Sequence, residues 1–207
     1  MIKYIIFTFG ILLCANPSMA DEHPWTLRID KQGIKAYTRK VDGFSILEFK
    51  ADMTIKAPLS EVLAVFEDVG ITRQWFYQCT ESRLVADENP TRKIVYILLH
   101  LPFPVSERDC VFQIDRMEDL AAGKVDYAVV ALPDRLPRRP GPVRVPYLKA
   151  VWHFVQLADG RTRIEFQQHS DPGGFIPDFI SNSLVVDIPY NSLNNLRTLV
   201  LSASKKK

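Results

Sequence analysis

Histidine and cysteine are both scarce in this chain of 207 residues, with four of the first and three of the second. Three cysteines cannot build a disulfide scaffold. The histidines, His23, His100, His153 and His169, have no partner four residues away and no cysteine at a metal-ligand spacing. No metal and no other cofactor is therefore expected. A phosphate-binding glycine loop, HExxH and GxSxG are all missing. His169-Ser170-Asp171 has the letters of a hydrolytic triad, but adjacent strand residues face opposite ways and cannot hydrogen-bond in series. No catalytic residue is assigned. Neither sign of charge prevails either: 26 Lys+Arg against 24 Asp+Glu leave +2. No global field is available to hold a polyanion, which argues against a nucleic-acid partner.

What is present is a globular composition, 47% hydrophobic and 24% charged, enough for one large domain. The first twenty residues read differently from the rest. Lys3 precedes the apolar run Tyr4 to Ala15, and Asn16-Pro17-Ser18-Met19-Ala20 ends in small residues. That is the layout of a secretory signal peptide over 1–20, cut before Asp21. The run falls short of the roughly 20 apolar residues that span a bilayer, so a retained anchor is the lesser alternative. The expectation is an exported protein, periplasmic or secreted, with a single domain over 21–207. In an oxidising compartment Cys79 and Cys110 could pair, or stay as two buried thiols.

Alternation dominates the middle of the chain. Leu47, Phe49, Ala51, Met53 and Ile55 point one way and Glu48, Lys50, Asp52 and Thr54 the other, as in a half-buried strand. Residues 92–101 are apolar on both faces and predict a strand covered on both sides. Further strands are predicted over 108–116, 124–132, 148–157 and 162–170, with weaker candidates at 34–41 and 80–86. Ala121-Ala122-Gly123 and Ala158-Asp159-Gly160 are hairpin turns. A helix is predicted from Pro58, with Leu59, Val62, Leu63, Phe66 and Val69 on one stripe and Gly70 as its stop. A second covers Pro177 to Leu201, with Ile176, Phe179, Ile180, Leu184, Ile188, Leu193, Leu196 and Val200 as its apolar stripe and Pro189 inside it. Antiparallel strands followed by a long amphipathic helix make an α+β arrangement, the helix laid over one sheet face.

Two features stand out against this pattern. Residues 133–146 hold five Pro and four Arg against one Asp, a stiff basic connection that reads as a solvated loop or as a docking patch for anionic lipid head groups. On strand 108–116 the more apolar face, Cys110, Phe112 and Ile114, also carries Arg108. A guanidinium buried there must meet a carboxylate, water or a ligand's polar group. At the strand's end it could instead reach solvent or pair with Glu107 or Asp109.

With Arg108 the sequence resembles the START domain family of lipid-transfer modules. Trp25 followed by Gly33 to Arg39, Trp75 after the first helix, Pro104 with Ser106-x-Arg108-Asp109, Val143-Arg144 with Trp152, Asp171-Pro172-Gly173-Gly174 with Pro177, and Asn182, Pro189 and Leu196-Arg197 occur in the family's order over about residues 24–202. The resemblance implies a helix-grip fold: a curved antiparallel sheet wrapped around the C-terminal helix, with a hydrophobic tunnel for one lipid or sterol. In the family this arginine reaches into the tunnel. Cholesterol carriers place an acid on the preceding strand, whereas 92–101 holds no Asp or Glu. That favours an anionic head group on Arg108 over a sterol.

The implied protein is a non-enzymatic lipid carrier, expected as a monomer, in transient contact with a membrane surface. The expected ligand-binding residues are Arg108 with Tyr96, Leu98, Phe112, Ile114, Tyr127, Val129, Trp152 and Phe166 from the sheet and Phe179, Ile180 and Leu184 from the helix. Two rivals stand beside it. One is an enzyme on the same scaffold, cyclase- or hydrolase-like, using a pocket histidine or acid on a hydrophobic small molecule. The other is an interaction protein whose basic loop recruits a partner.

Overall fold

The computed structural model describes residues 23–205, apart from the side chains of Asp178, Phe179 and Asn182. The signal peptide expected over 1–20 lies outside the described residues. Ten strands follow in chain order: β1 (Thr26–Lys31), β2 (Ile34–Arg39), β3 (Glu48–Ile55), β4 (Cys79–Asn89), β5 (Arg92–Leu99), β6 (Arg108–Asp119), β7 (Lys124–Ala131), β8 (Val143–Arg144), β9 (Tyr147–Gln156) and β10 (Thr162–Asp171). Helices α1 (Leu59–Phe66) and α2 (Thr72–Trp75) fall between β3 and β4, and α3 (Asp178–Ser204) ends the described chain. The strands form one curved sheet in the order β1-β2-β3-β10-β9-β7-β6-β5-β4, antiparallel along that path, with β8 beside β6 in parallel. This is the α+β helix-grip arrangement.

Local sequence explains most of these elements. In β3, Phe49, Ala51, Met53 and Ile55 are buried while Lys50, Asp52 and Thr54 are half-buried, the outcome of strict alternation. β1 went unpredicted: it is a short edge strand whose Leu27 and Ile29 alternate with polar residues but which is largely exposed on both faces. It turns into β2 through Gln32 (φ 55°) and Gly33 (φ 72°), left-handed backbone of the kind tight hairpins need.

The first helix is shorter than expected. Pro58 caps it from an extended conformation, and it ends at Phe66. Asp68 then accepts a hydrogen bond from the Gly70 amide at 2.9 Å, which starts a 3-10 turn over Val69–Ile71 leading into α2. Gly70 therefore sits inside a turn instead of stopping a helix.

Helix α3 runs unbroken through Pro189. Val185, Leu193, Leu196 and Val200 enter the main core with Ile34, Met53, Val62 and Phe166. Its C-terminal half is tied down by polar contacts: the Tyr77 amide donates to Ser192 Oγ at 3.0 Å and Arg197 donates to the Gln32 carbonyl at 2.6 Å. Its N-terminal half packs Ile180 and Leu184 on Leu101 and Val105 of the β5–β6 loop.

The Pro-rich connection is a strap across the outer face of β5 and β6. Leu132 and Leu136 cover Ile94, Tyr96 and Val111. Arg144 donates to both carboxylate oxygens of Asp109, at 2.9 and 2.8 Å, and to the carbonyls of Pro133, Leu136 and Pro137. Arg139 reaches Glu81 and the Tyr96 hydroxyl, and Arg135 reaches Glu88. Three of the four arginines thus hold the strap down, while Arg138 is exposed. Cys79 and Cys110 are free and buried. Burial pushes their thiols up to about 11 and about 12, which keeps them protonated and inert.

Candidate functional site

Register decides which side chains meet inside the sheet. One row runs Lys93, Ile114, Val129, Ala150, Gln168, Phe49, and a parallel row runs Arg116, Tyr127, Trp152, Phe166, Ala51, Ala36. These rows, with Phe66, Trp75 and Phe76 from the α1–α2 segment, enclose a cavity of about 250 Å³. A second cavity of about 90 Å³ lies toward α3, bordered by Arg108, Cys110, Ser170, Ser181, Leu184 and Ile188 among others. Both are bordered by Phe76, Ile97, Leu148 and Gln168. Those four residues stand between the two chambers as a shared wall, which must part for one ligand to occupy both.

The expected site residues divide among several places. Phe112, Ile114, Tyr127, Val129, Trp152 and Phe166 line the larger chamber, and Arg108 and Leu184 the smaller. Ile180 packs on Leu101 and Val105 and borders neither. Phe179's side chain lies outside the described residues. Tyr96 and Leu98 face the other way, under the strap, and the tunnel side of β5 is Lys93, Val95 and Ile97. A strand apolar on both faces carries no parity signal, so only its register with β6, Val95 opposite Phe112, settles the matter. Reasoning from sequence missed Phe66, Trp75 and Phe76, although the first lay on the predicted helix stripe. It also missed Glu67, Lys93 and Arg116, whose charges sit at inward positions of otherwise apolar elements.

The larger chamber has an aromatic wall and a polar far end. Trp152 and Phe166 stack at 3.7 Å, and Phe66 leans on Trp75, Tyr127 and Trp152. The Trp75 indole nitrogen is buried and has no hydrogen-bond partner among the described residues. At the far end the Tyr127 hydroxyl donates a short bond to Glu67, and Arg116 donates to Glu67 at 3.1 Å and reaches Glu118 at 2.5 Å. Burial, and then the hydrogen bond to Glu67 and its charge, hold the Tyr127 phenol well above its usual range, so it stays a donor. Pro90, Thr91 and Lys93 complete this end.

Arg108 lies at the opposite end and is 2% exposed. Its guanidinium donates to the carbonyls of Ser106 (2.6 Å), Pro172 (3.3 Å), Gly173 (2.8 Å) and Phe175 (3.5 Å). No carboxylate is paired with it among the described residues, because Asp109 faces the strap and is taken by Arg144. Burial lowers its affinity for the proton below the usual arginine value, and the side chain remains a cation. Gly173 and Gly174 have φ of 66° and 63°, and a Cβ on Gly174 would stand 3.4 Å from Nη2 of Arg108. Glycine lets this loop fold against the guanidinium. Phe103, on the β5–β6 loop that also carries Ser106, is 95% exposed, and Phe175 is 84% exposed.

A family model described as the START domain matches residues 18–203. An uncharacterized protein of Pseudomonas aeruginosa is 30% identical over 207 residues, spanning 100% of this chain and 98% of its own. The phosphatidylcholine transfer protein of Bos taurus is 26% identical over 164 residues, 76% of this chain and 75% of its own. Among solved structures, the STAR-related lipid transfer protein of Xanthomonas axonopodis superposes with a TM-score of 0.78 at 36% identity, covering 85% of this chain and 98% of that one.

Proposed function

The chain belongs to the START domain family, and from that premise we propose that it is a non-enzymatic carrier holding one lipid with an anionic head group. The observation that carries this reading is Arg108, a buried cation without a carboxylate at one end of an apolar tunnel. Head-group oxygens displace the carbonyls of Gly173 and Phe175 as acceptors, with Ser170, Ser181 and Gln168 nearby on the chamber wall. Charge-assisted bonds to an anion are the stronger ones. Once the shared wall parts, the chain passes into the larger chamber, where burial of each methylene contributes about 0.8 kcal/mol. Even joined, the two chambers reach only the lower end of the roughly 300–1,000 Å³ of small-molecule sites. A single-chain lipid fits this volume best; a two-chain lipid needs further parting of the walls. The lipid-transfer and phosphatidylcholine-transfer relatives support a lipid as cargo.

Membrane contact belongs to the same end. Phe103 and Phe175 stand on two loops that both give carbonyls, those of Ser106 and Phe175, to Arg108. Rings inserting into a bilayer pull on the loops that close the chamber, and exchange of the Arg108 carbonyls for a head group lets Asp171–Pro177 swing aside. The leader expected over 1–20 would direct the carrier to export, and it acts as a monomer. The rival enzyme needs an acid or histidine at the chamber wall. Glu67 borders it, engaged by Tyr127 and Arg116, and no described histidine does.

Extraction of the purified protein with organic solvent, followed by mass spectrometry, tests the reading. One acyl lipid per chain is expected, along with uptake of a fluorescent fatty acid from vesicles. An empty extract together with no uptake overturns it.

A further inference from the structure

The larger chamber is apolar along most of its wall, yet it holds two donors that have no partner among the described residues. One is the Trp75 indole N–H, on a residue only 4% exposed. The other is Lys93, half-buried at an inward position of β5, whose ammonium makes no hydrogen bond or ion pair among the described residues. Asp87 stands opposite Lys93 on β4 with no ion pair between them, and the one carboxylate bordering the chamber among the described residues is already committed. Glu67 takes Tyr127 and Arg116, and Glu118 takes the other side of Arg116. A hydrocarbon end placed here would leave both donors desolvated and unmet, which costs free energy in proportion to their burial. An oxygen-bearing end would meet the Lys93 ammonium.

Lys93 pairs with Ile114, six positions beyond Arg108 on the same strand. At about 3.3 Å per residue the two cations stand about 20 Å apart along the tunnel, with Ile97, Cys110, Val95 and Phe112 between them. A long extended acyl chain bridges such a span. We propose that the mouth at Lys93 is a second polar recognition site, so that the tunnel selects an amphiphile carrying anionic oxygens, carboxylate or phosphate, at both ends of a single chain. This assignment rests on the lipid-binding reading above and specifies its ligand class. Lys93 takes the far anionic group, and Arg116 stays locked by its two carboxylates.

The test compares hexadecanoic acid with hexadecanedioic acid on the full chain, by titration calorimetry or displacement of a fluorescent fatty acid. The parent is expected to hold the diacid about tenfold more tightly than the monoacid. Lys93→Met is expected to abolish that preference while leaving monoacid affinity in place, and Lys93→Arg to keep it. Equal affinities in the parent, or a preference that survives Lys93→Met in a folded protein, overturn the second site and leave the carrier reading standing. Binding of neither acid fails the carrier reading itself, and the second site falls with it. Inorganic phosphate alone at millimolar concentration is expected not to compete with the diacid. Competition would make the mouth a free-anion site and also overturn the assignment.

Discussion

Arg108 and Arg144 are equally buried, at 2% and 3% exposure, and live in opposite electrostatic worlds. Arg144 lies under the outer strap and closes a two-pronged ion pair with Asp109, topped by three carbonyls. Arg108 lies in the inner chamber and, among the described residues, has carbonyls only. Asp109 is the next residue along β6 from Arg108, yet it serves the other arginine, because the pleat sends adjacent side chains to opposite faces. A buried cation matched by a carboxylate is structural closure. One matched by dipoles alone keeps its charge available to an incoming anion. The outer region of the sheet is therefore electrostatically finished and the inner one is not.

That contrast breaks in a definite order. Asp109→Ala leaves Arg144 buried without its counter-charge and is expected to lower stability by about 3–5 kcal/mol, read by urea unfolding. Arg108→Leu removes a cation and frees carbonyls, with an expected loss of about 1–3 kcal/mol. Its affinity for hexadecanoic acid should fall at least about tenfold. If the two variants were equally destabilised and Arg108→Leu bound the acid normally, the distinction between the regions would collapse.

Smaller effects sharpen the same picture. Phe103→Ala with Phe175→Ala should slow lipid transfer between vesicles several-fold. The unfolding free energy should move by no more than about 0.5 kcal/mol, since both rings are exposed. Changing Arg135, Arg138 and Arg139 to Ser is expected to act least. Exposed pairs such as Arg135–Glu88 and Arg139–Glu81 are worth about 0–1 kcal/mol each. Any loss of transfer to anionic vesicles should vanish at high salt. A larger effect from the arginines than from the phenylalanines would move the membrane surface from the inner chamber's mouth to the outer strap.

Much of this was legible from local pattern, and the failures have local causes. The alternation from Leu47 to Ile55 fixed one face of β3, and the even positions of β6 placed Arg108 inside with Phe112 and Ile114. What Arg108 touches could not be read, because its acceptors at Pro172, Gly173 and Phe175 arrive from the far end of the chain. Tyr96 and Leu98 were placed inside because β5 is apolar on both faces. Lys93 could have been found from the same strand once its pairing with Ile114 was known, since a charge at an inward position is the signal that singled out Arg108. The 133–146 connection reads as a solvated loop or a docking patch, since the partners of its arginines, Glu81, Glu88 and Asp109, lie on other strands.

The position of β10 between β3 and β9 has a consequence for how the chain is made. Ile55 pairs with Thr162, so the ribbon β1–β3 has no neighbour on its inner edge until the last strand exists. The helix that covers this ribbon comes later still. Pairings so distant in sequence are slow to form, because the intervening loop must close before any contact rewards it. A nascent chain therefore holds two unjoined half-sheets, each with an open apolar face. No tunnel exists in it to take up cargo, and loading follows the completion of synthesis.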